Sequence, residues 1–191
     1  MWRRLSYALA YRTGRTPWDT GITPPELVDL IEGPDAIAPG RALDLGCGTG
    51  TNLAYLVEHG WHASGVEADR RAFEAAERRL AGNADATVLH GDVTRLGARG
   101  VDGPFDLALD IGCFHSIALR RRDAYARGIA ARTRPGAVLF MFAFARRSGV
   151  VSVGVTPGEM RDRFAPWFDP VGRVAATQPP GAAWYRLRRV G

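Results

Sequence analysis

The residues best suited to chemistry are a glycine-rich segment and a series of acids spaced along the chain. Asp44-Leu-Gly-Cys-Gly-Thr-Gly50 closes a short apolar run that begins at Arg41. Ligands of open α/β sheets bind at the carboxyl ends of strands, where glycine lets the backbone come close. The spacing Gly46, Gly48, Gly50 departs from the G-x-G-x-x-G of a nicotinamide-binding loop, because Thr51 stands where the third glycine belongs. Asp44 places a carboxylate two positions before the first glycine, which opposes a pyrophosphate and suits a cationic ligand. Glu67 closes the next apolar run, where a carboxylate can accept both hydroxyls of a ribose. Asp92, in Gly91-Asp-Val93, closes a third run and can accept an adenine amino proton. Asp110, in Asp110-Ile-Gly-Cys-Phe-His115, closes a fourth. One such acid alone reads as a helix cap or a loop residue. Acids at four successive strand ends read as one ligand site.

His115 lies just past the fourth run and is the candidate general base, since imidazole titrates near neutral pH. Its alternative role is to orient the loop or cap the next helix. Cys47 and Cys113 follow the first and fourth runs. Two cysteines make no disulfide framework, and no metal-ligand spacing accompanies them, so no metal is expected. Arg120–Arg122 reads as a solvated first helical turn, with contact to an anionic acceptor as the alternative. Residues 146–155 read as a substrate-side loop.

The elements that must position these groups follow from periodicity. Apolar runs at 41–46, 62–66, 86–90, 105–110 and 137–145 read as strands. Residues 50–59 read as a helix with Leu53, Leu56 and Val57 on one face, and Asp69 can cap the helix that carries Phe73, Ala76 and Leu80. Residues 120–132 form a third helix, with Tyr125 and Ile129 inward, closed by Pro135-Gly136. Thr156-Pro-Gly-Glu159 and Thr23-Pro-Pro-Glu26 read as capping boxes. Strand-like stretches at 167–175 and 182–190, joined at Gln178-Pro-Pro-Gly181, make a terminal hairpin. The alternation predicts an α/β fold: a doubly wound, mostly parallel seven-stranded Rossmann-like sheet with a C-terminal antiparallel hairpin and an N-terminal helical lid. The expected organisation is a single domain over 1–191, with the lid and its helix at 1–35 and the core at 40–191.

The chain has 191 residues and a formal charge of +5, and all 25 of its Lys and Arg residues are Arg. The arginines come as scattered pairs without a basic stripe of interleaved aromatics, so no nucleic-acid partner is expected. No apolar run is long enough to span a membrane, and the N-terminus lacks a signal peptide's apolar core. A bacterial protein of the reducing cytoplasm is the expectation.

From the glycine loop to the terminal hairpin, these residues resemble the class I S-adenosylmethionine-dependent methyltransferases. The resemblance implies S-adenosyl-L-methionine as the cofactor. Gly46, Gly48 and Gly50 would pass close to its methionine part, Glu67 would hold the ribose, and Asp92 with Val93 would frame the adenine. Asp44, Cys47, Thr49, Asn52, Ala68, Asp110, Ile111 and Gly112 complete the implied cofactor set. Thr16-Pro-Trp-Asp-Thr-Gly-Ile-Thr-Pro-Pro25 looks like a segment of the thiopurine and the thiol or halide methyltransferases. That likeness implies a lid over the cofactor with the Trp18 ring near the sulfonium, where the ring quadrupole attracts a cation.

The expected reaction is in-line displacement at the sulfonium methyl, largely a matter of proximity and alignment. The acceptor is a small molecule, leaning to a thiol, a halide or a heterocycle. A soft anion needs no base, whereas a small-molecule O- or N-methyltransferase would use His115. A non-catalytic S-adenosylmethionine-binding protein is the alternative from another class. A nicotinamide oxidoreductase is disfavoured by the loop spacing, by Asp44 and by the hairpin. Nucleic-acid methylation is disfavoured because Asp110-Ile-Gly-Cys-Phe114 lacks a polar Pro-Pro-aromatic sequence.

Overall fold

The computed structural model describes residues 9–146, 154–176 and 180–191. Trp2 and Tyr7 of the expected lid, most of the loop at 146–155 and the first half of the Gln178–Gly181 turn lie outside these residues. Seven strands, β1 (Arg41–Leu45), β2 (His62–Glu67), β3 (Ala86–His90), β4 (Phe105–Ile111), β5 (Thr133–Phe144), β6 (Phe168–Ala175) and β7 (Ala182–Arg189), form a mixed sheet in the order β3-β2-β1-β4-β5-β7-β6, the expected architecture. The chain divides into two compact units, 1–91 and 92–191. Among the described residues, no helix is long and apolar enough to cross a membrane.

The first unit runs α1 (Pro25–Glu32), β1 (Arg41–Leu45), α2 (Thr51–Glu58), β2 (His62–Glu67), α3 (Arg70–Arg79) and β3 (Ala86–His90). Its strands are parallel, with Asp44 opposite Gly65 and Ser64 opposite Thr87. Parallel strands covered on both faces read as continuous apolar runs, and Ala42, Leu43 and Leu45 are fully buried. Leu53 and Leu56 anchor α2 as its spacing predicts. A Cβ at Gly65 would overlap Leu53 Cδ1 and lie 2.7 Å from Cys47 Sγ. Glycine is therefore what lets β2 pass so close to the loop after β1. Asp69 caps α3 as predicted, accepting the N–H groups of Arg71 and Ala72 at 3.0 and 3.2 Å.

The capping box expected at Thr23 does not form. Helix α1 begins at Pro25, so Pro24 holds the cap position and no side chain caps the helix. The Pro-Pro pair shifts the helix start one residue beyond the threonine.

The second unit holds β4 (Phe105–Ile111), α4 (Arg122–Ala130), β5 (Thr133–Phe144), α5 (Pro157–Phe164), β6 (Phe168–Ala175) and β7 (Ala182–Arg189). β4 and β5 are parallel, while β7 runs antiparallel to both β5 and β6. Tyr125 and Ile129 of α4 are fully buried. Phe114 meets Tyr125 and Phe164 at ring separations of 5.2 and 5.3 Å, and Phe164 meets Phe168 at 6.1 Å. Pro135-Gly136 does not close α4 as expected. The helix ends earlier, where Thr133 Oγ1 donates to the Ile129 carbonyl at 3.1 Å. β5 then starts at Thr133 opposite Phe105, and Pro135-Gly136 falls at a register shift inside the strand.

The Thr156 box does form: Thr156 Oγ1 accepts the Glu159 N–H at 3.0 Å. Thr156→Ala is expected to destabilise the protein by about 1 kcal/mol. Thr23→Ala, which removes no cap, is expected to change stability by less than about 0.5 kcal/mol. Urea unfolding of both variants checks this; equal losses would contradict the assignment of the two helix starts.

Candidate functional site

In the first unit the site is built around Glu67. Its side chain is buried at the end of β2, where Oε2 accepts the Gly48 N–H at 3.0 Å and Oε1 accepts the Asp69 N–H at 2.7 Å. The Ala68 N–H adds a third backbone donor, so one of the carboxylate's roughly four acceptor positions remains. Burial pushes the Glu67 carboxyl above its ordinary value, against the pull of those N–H donors. Gly46, Gly48 and Gly50 all have left-handed backbone, with φ of 80°, 56° and 82°. That conformation is open to glycine without penalty, and it turns the Gly48 N–H onto Glu67. Cys47 is buried, and its thiol is pushed up by burial and by the nearby Asp44 and Glu67 charges, so it stays neutral. Asp44 is buried at the end of β1.

The N-terminal segment lies against this loop. A Cβ at Gly48 would meet Tyr11 Oη at 3.2 Å. Trp18 Nε1 donates to Tyr11 Oη at 3.2 Å, and the two rings meet edge to face at 6.1 Å. Thr49 Oγ1 donates to Asp19 Oδ1 at 2.8 Å, and Arg79 Nε donates to the Thr49 carbonyl at 2.9 Å. The Trp18 ring stays 50% exposed. Among the described residues, Thr51 Oγ1 and Asn52 Oδ1 are buried with no hydrogen-bond partner. The acceptor position left on Glu67, a loop with glycine at alternate positions and an unused Asn52 oxygen suit a ligand with hydroxyl and ammonium donors.

In the second unit Asp92 is committed within the protein. Its Oδ1 accepts the Thr94 N–H and hydroxyl at 3.0 and 2.8 Å, and its Oδ2 pairs with Arg121 Nη2 at 2.7 Å. Burial alone would raise its carboxyl; the Arg121 and Thr94 donors outweigh that and hold it below the ordinary value. Val93 is buried, Ile111 and Gly112 are partly buried, and Ala68, in the first unit, is exposed.

Asp110 is fully buried, with Oδ1 accepting the Cys113 N–H at 2.8 Å and Oδ2 accepting the Phe114 N–H at 2.9 Å and the Tyr125 hydroxyl. Burial raises its carboxyl to about 6, opposed by Tyr125 and the backbone donors. Its charge builds the turn after β4. That turn carries His115, which is buried, and whose ring meets Phe144 edge to face at 4.4 Å.

The arginine triplet is not a uniformly solvated turn. Arg121 holds Asp92, and Arg122 is fully buried. Arg122 donates to the carbonyls of Ile117, His115 and Gly154 at 2.9, 2.9 and 3.2 Å, and to Glu159 Oε1 at 2.7 Å. Its guanidinium also lies 4.9 Å from the Phe114 ring centre. Sequence reasoning misses Tyr11 and Gly65, which carry no pattern of their own, and the internal hydrogen-bonding roles of Arg121 and Arg122. The signal for Asp19 is its place inside the Trp-acid segment. Both cysteines are free thiols.

A family model described as a methyltransferase domain matches residues 43–139. The chain is 33% identical over 132 residues to the 2-heptyl-1-hydroxyquinolin-4(1H)-one methyltransferase of Mycobacteroides abscessus, covering 68% of this chain and 56% of that protein. It is 31% identical over 143 residues to the ribosomal RNA small subunit methyltransferase C of Alcanivorax borkumensis, covering 73% of this chain and 42% of that protein. The chain thus spans about half the length of these relatives. Among solved structures it is similar to the Burkholderia thailandensis 1,6-didemethyltoxoflavin-N1-methyltransferase with bound 1,6-didemethyltoxoflavin and S-adenosylhomocysteine. That likeness has a TM-score of 0.77 at 21% identity, covering 98% of this chain and 87% of that one.

The Asp110 environment makes a pH prediction. A carboxyl raised from an ordinary value near 4 to about 6 binds its proton more tightly in the folded state. Its contribution to stability is therefore full below about pH 4 and is lost as pH rises to about 6. Tyr125→Phe removes a donor to the charged form, so the Asp110 titration is expected to move above 6 and stability at pH 7 to fall by about 2 kcal/mol. Carboxyl ¹³C NMR titration with urea unfolding across pH checks this; an Asp110 titration near 4 in both proteins would refute it.

Proposed function

The chain belongs to the methyltransferase domain family, and we propose that it binds S-adenosylmethionine and transfers the methyl group to a small-molecule acceptor. The observation that carries this reading is the buried Glu67 carboxylate, fixed at the end of β2 by the Gly48, Asp69 and Ala68 N–H groups with acceptor capacity left over. A carboxylate held in that way can receive a ribose hydroxyl. Bound S-adenosylmethionine would supply an activated methyl on a sulfonium.

In this reading the chain's own residues bind, orient and shield. Gly46, Gly48 and Gly50 admit the aminocarboxypropyl chain, and Asn52 offers its buried amide oxygen. Asp44 sets a negative potential that favours a cationic ligand. Trp18, tied to Tyr11, presents a ring face to the sulfonium. Asp92 and Val93 take the adenine, with Arg121 holding Asp92 in place. In the first unit Ala68, Cys47 and Thr49 contribute backbone; in the second Ile111 and Gly112 do so, and Asp110 acts through the turn it builds. The whole chain works as one methyltransferase domain, and a reducing cytoplasm suits its free thiols.

The acceptor reading leans to a thiol, a halide or a heterocycle. The Trp18-Asp19 segment supports the first two, and the named substrates of the quinolone and toxoflavin relatives support the third. With a soft anion His115 orients the acceptor; with an oxygen or nitrogen acceptor it receives the proton.

Glu67→Ala is expected to weaken S-adenosylhomocysteine binding by about 10–100-fold, the loss of charge-assisted hydrogen bonds. Isothermal titration calorimetry reads this, and unchanged affinity would remove Glu67 from the site. A methyl-transfer assay over thiols, halides, phenols, heterocyclic amines and ribosomal RNA tests the acceptor class; transfer to RNA alone would overturn the small-molecule reading. With an oxygen acceptor, His115→Ala is expected to lower turnover at saturating cofactor by about 10²-fold or more. Unchanged turnover would remove the base role.

A further inference from the structure

The second unit carries an aromatic ladder that begins in its core and runs out to an exposed ring. Phe140, Phe142 and Phe144 alternate along one face of β5, and Trp184 of β7 stands directly opposite Phe142. Phe140 stacks on Trp184 at 4.9 Å with 19° between planes, and Phe142 meets the same indole at 5.0 Å. Phe142 and Phe144 meet edge to face at 5.5 Å, and His115 closes the ladder on Phe144 at 4.4 Å. Exposure rises along the strand: Phe140 is 7% exposed, Phe142 half-buried and Phe144 36% exposed. The open end is the carboxyl end of β5, the edge where α/β sheets bind their ligands. A lone exposed phenylalanine needs no explanation. A continuous stair of rings that opens at the ligand edge and ends on an imidazole does.

The charged groups nearby gather on one acid. Arg146, two residues past Phe144, pairs with Glu159. Glu159 also receives Arg163 and the buried Arg122. Arg186 of β7 stands opposite Phe140, at the buried end of the ladder, so what the open end offers is ring surface.

We propose that Phe142 and Phe144, with the His115 ring, form the acceptor-recognition surface of the enzyme and select a flat aromatic ring system over an aliphatic acceptor of the same size. The inference rests on the methyl-transfer reading above and narrows its acceptor class. Offset and edge-to-face ring pairs are favoured beyond the area they bury, and a saturated ring of equal volume cannot form them. The residue at the open end, Phe144, is the specificity determinant; Phe140 and Trp184 hold the rings behind it.

The test uses the full chain and two uncharged probes matched in size, 2-naphthol and decahydro-2-naphthol. Each is titrated by calorimetry with and without S-adenosylhomocysteine. The flat probe is expected to bind at least about tenfold more tightly than the saturated one, and Phe144→Ala to erase most of that preference. Phe144→Tyr is expected to keep the preference. Val174→Ala, on the exposed face of β6, is expected to leave it unchanged. S-adenosylhomocysteine affinity should be the same in all four proteins. Equal affinity for the two probes, or a preference that survives Phe144→Ala, overturns the inference while leaving the cofactor reading intact. A Phe144-dependent preference in a protein that fails to bind S-adenosylhomocysteine upholds the aromatic surface and overturns the cofactor reading instead.

Discussion

Taking a carboxylate out of water costs several kcal/mol unless fixed donors replace the solvent. In the first unit that constraint falls on Glu67, and beside the Ala68 N–H two further backbone N–H groups meet it. One belongs to Gly48, whose left-handed backbone turns its N–H toward the acid. The other belongs to Asp69, whose own side chain caps α3. The end of β2, the glycine loop and the start of α3 are thereby tied to one charge. Thr49 extends the node, since its hydroxyl reaches Asp19 of the N-terminal segment and its carbonyl receives Arg79. Gly65 belongs to it as well, because any side chain there would push Cys47 out of the loop.

The second unit meets the same constraint differently. Asp110 is saturated by three N–H groups, those of Gly112, Cys113 and Phe114, and a phenol, so its charge goes into shape. The shape it builds is the turn that carries His115. Arg122 completes the turn from the other side, giving its guanidinium to three carbonyls and Glu159. A buried cation is tolerable only when most of its donors are used, and here they are. Glu67 and Asp110 are both buried acids at strand ends. They differ in how many acceptor positions remain, since three donors reach Glu67 and four reach Asp110.

Much of the fold is legible in the chain. The five parallel-type strands, the terminal hairpin and the helices after the glycine loop all follow from apolar periodicity and caps. The misses are local and have local causes. Thr23 could not cap α1 because two prolines follow it and the helix starts later. Pro135-Gly136 could not end α4 because Thr133 had already ended it and paired with Phe105. The arginine triplet gave no hint that Arg122 is buried, since charge runs on helix starts usually face water. What buries it is the set of loop carbonyls it meets, and those come together only when the loops close.

Types and spacings along the chain determined that four strands end in acids, that the first is followed by a loop free of side chains at alternate positions, and that an imidazole lies past the fourth. Those features are local, and periodicity carries them without any knowledge of neighbours. Tertiary structure decided which acid keeps an acceptor position free, which arginine is buried, and that Tyr11 and Asp19 rest on the glycine loop. It also decided that rings on β5 and β7 share one face and open at Phe144. These depend on donors and rings brought together from distant segments, and the number of hydrogen bonds an acid accepts is a property of that meeting rather than of its place in the chain.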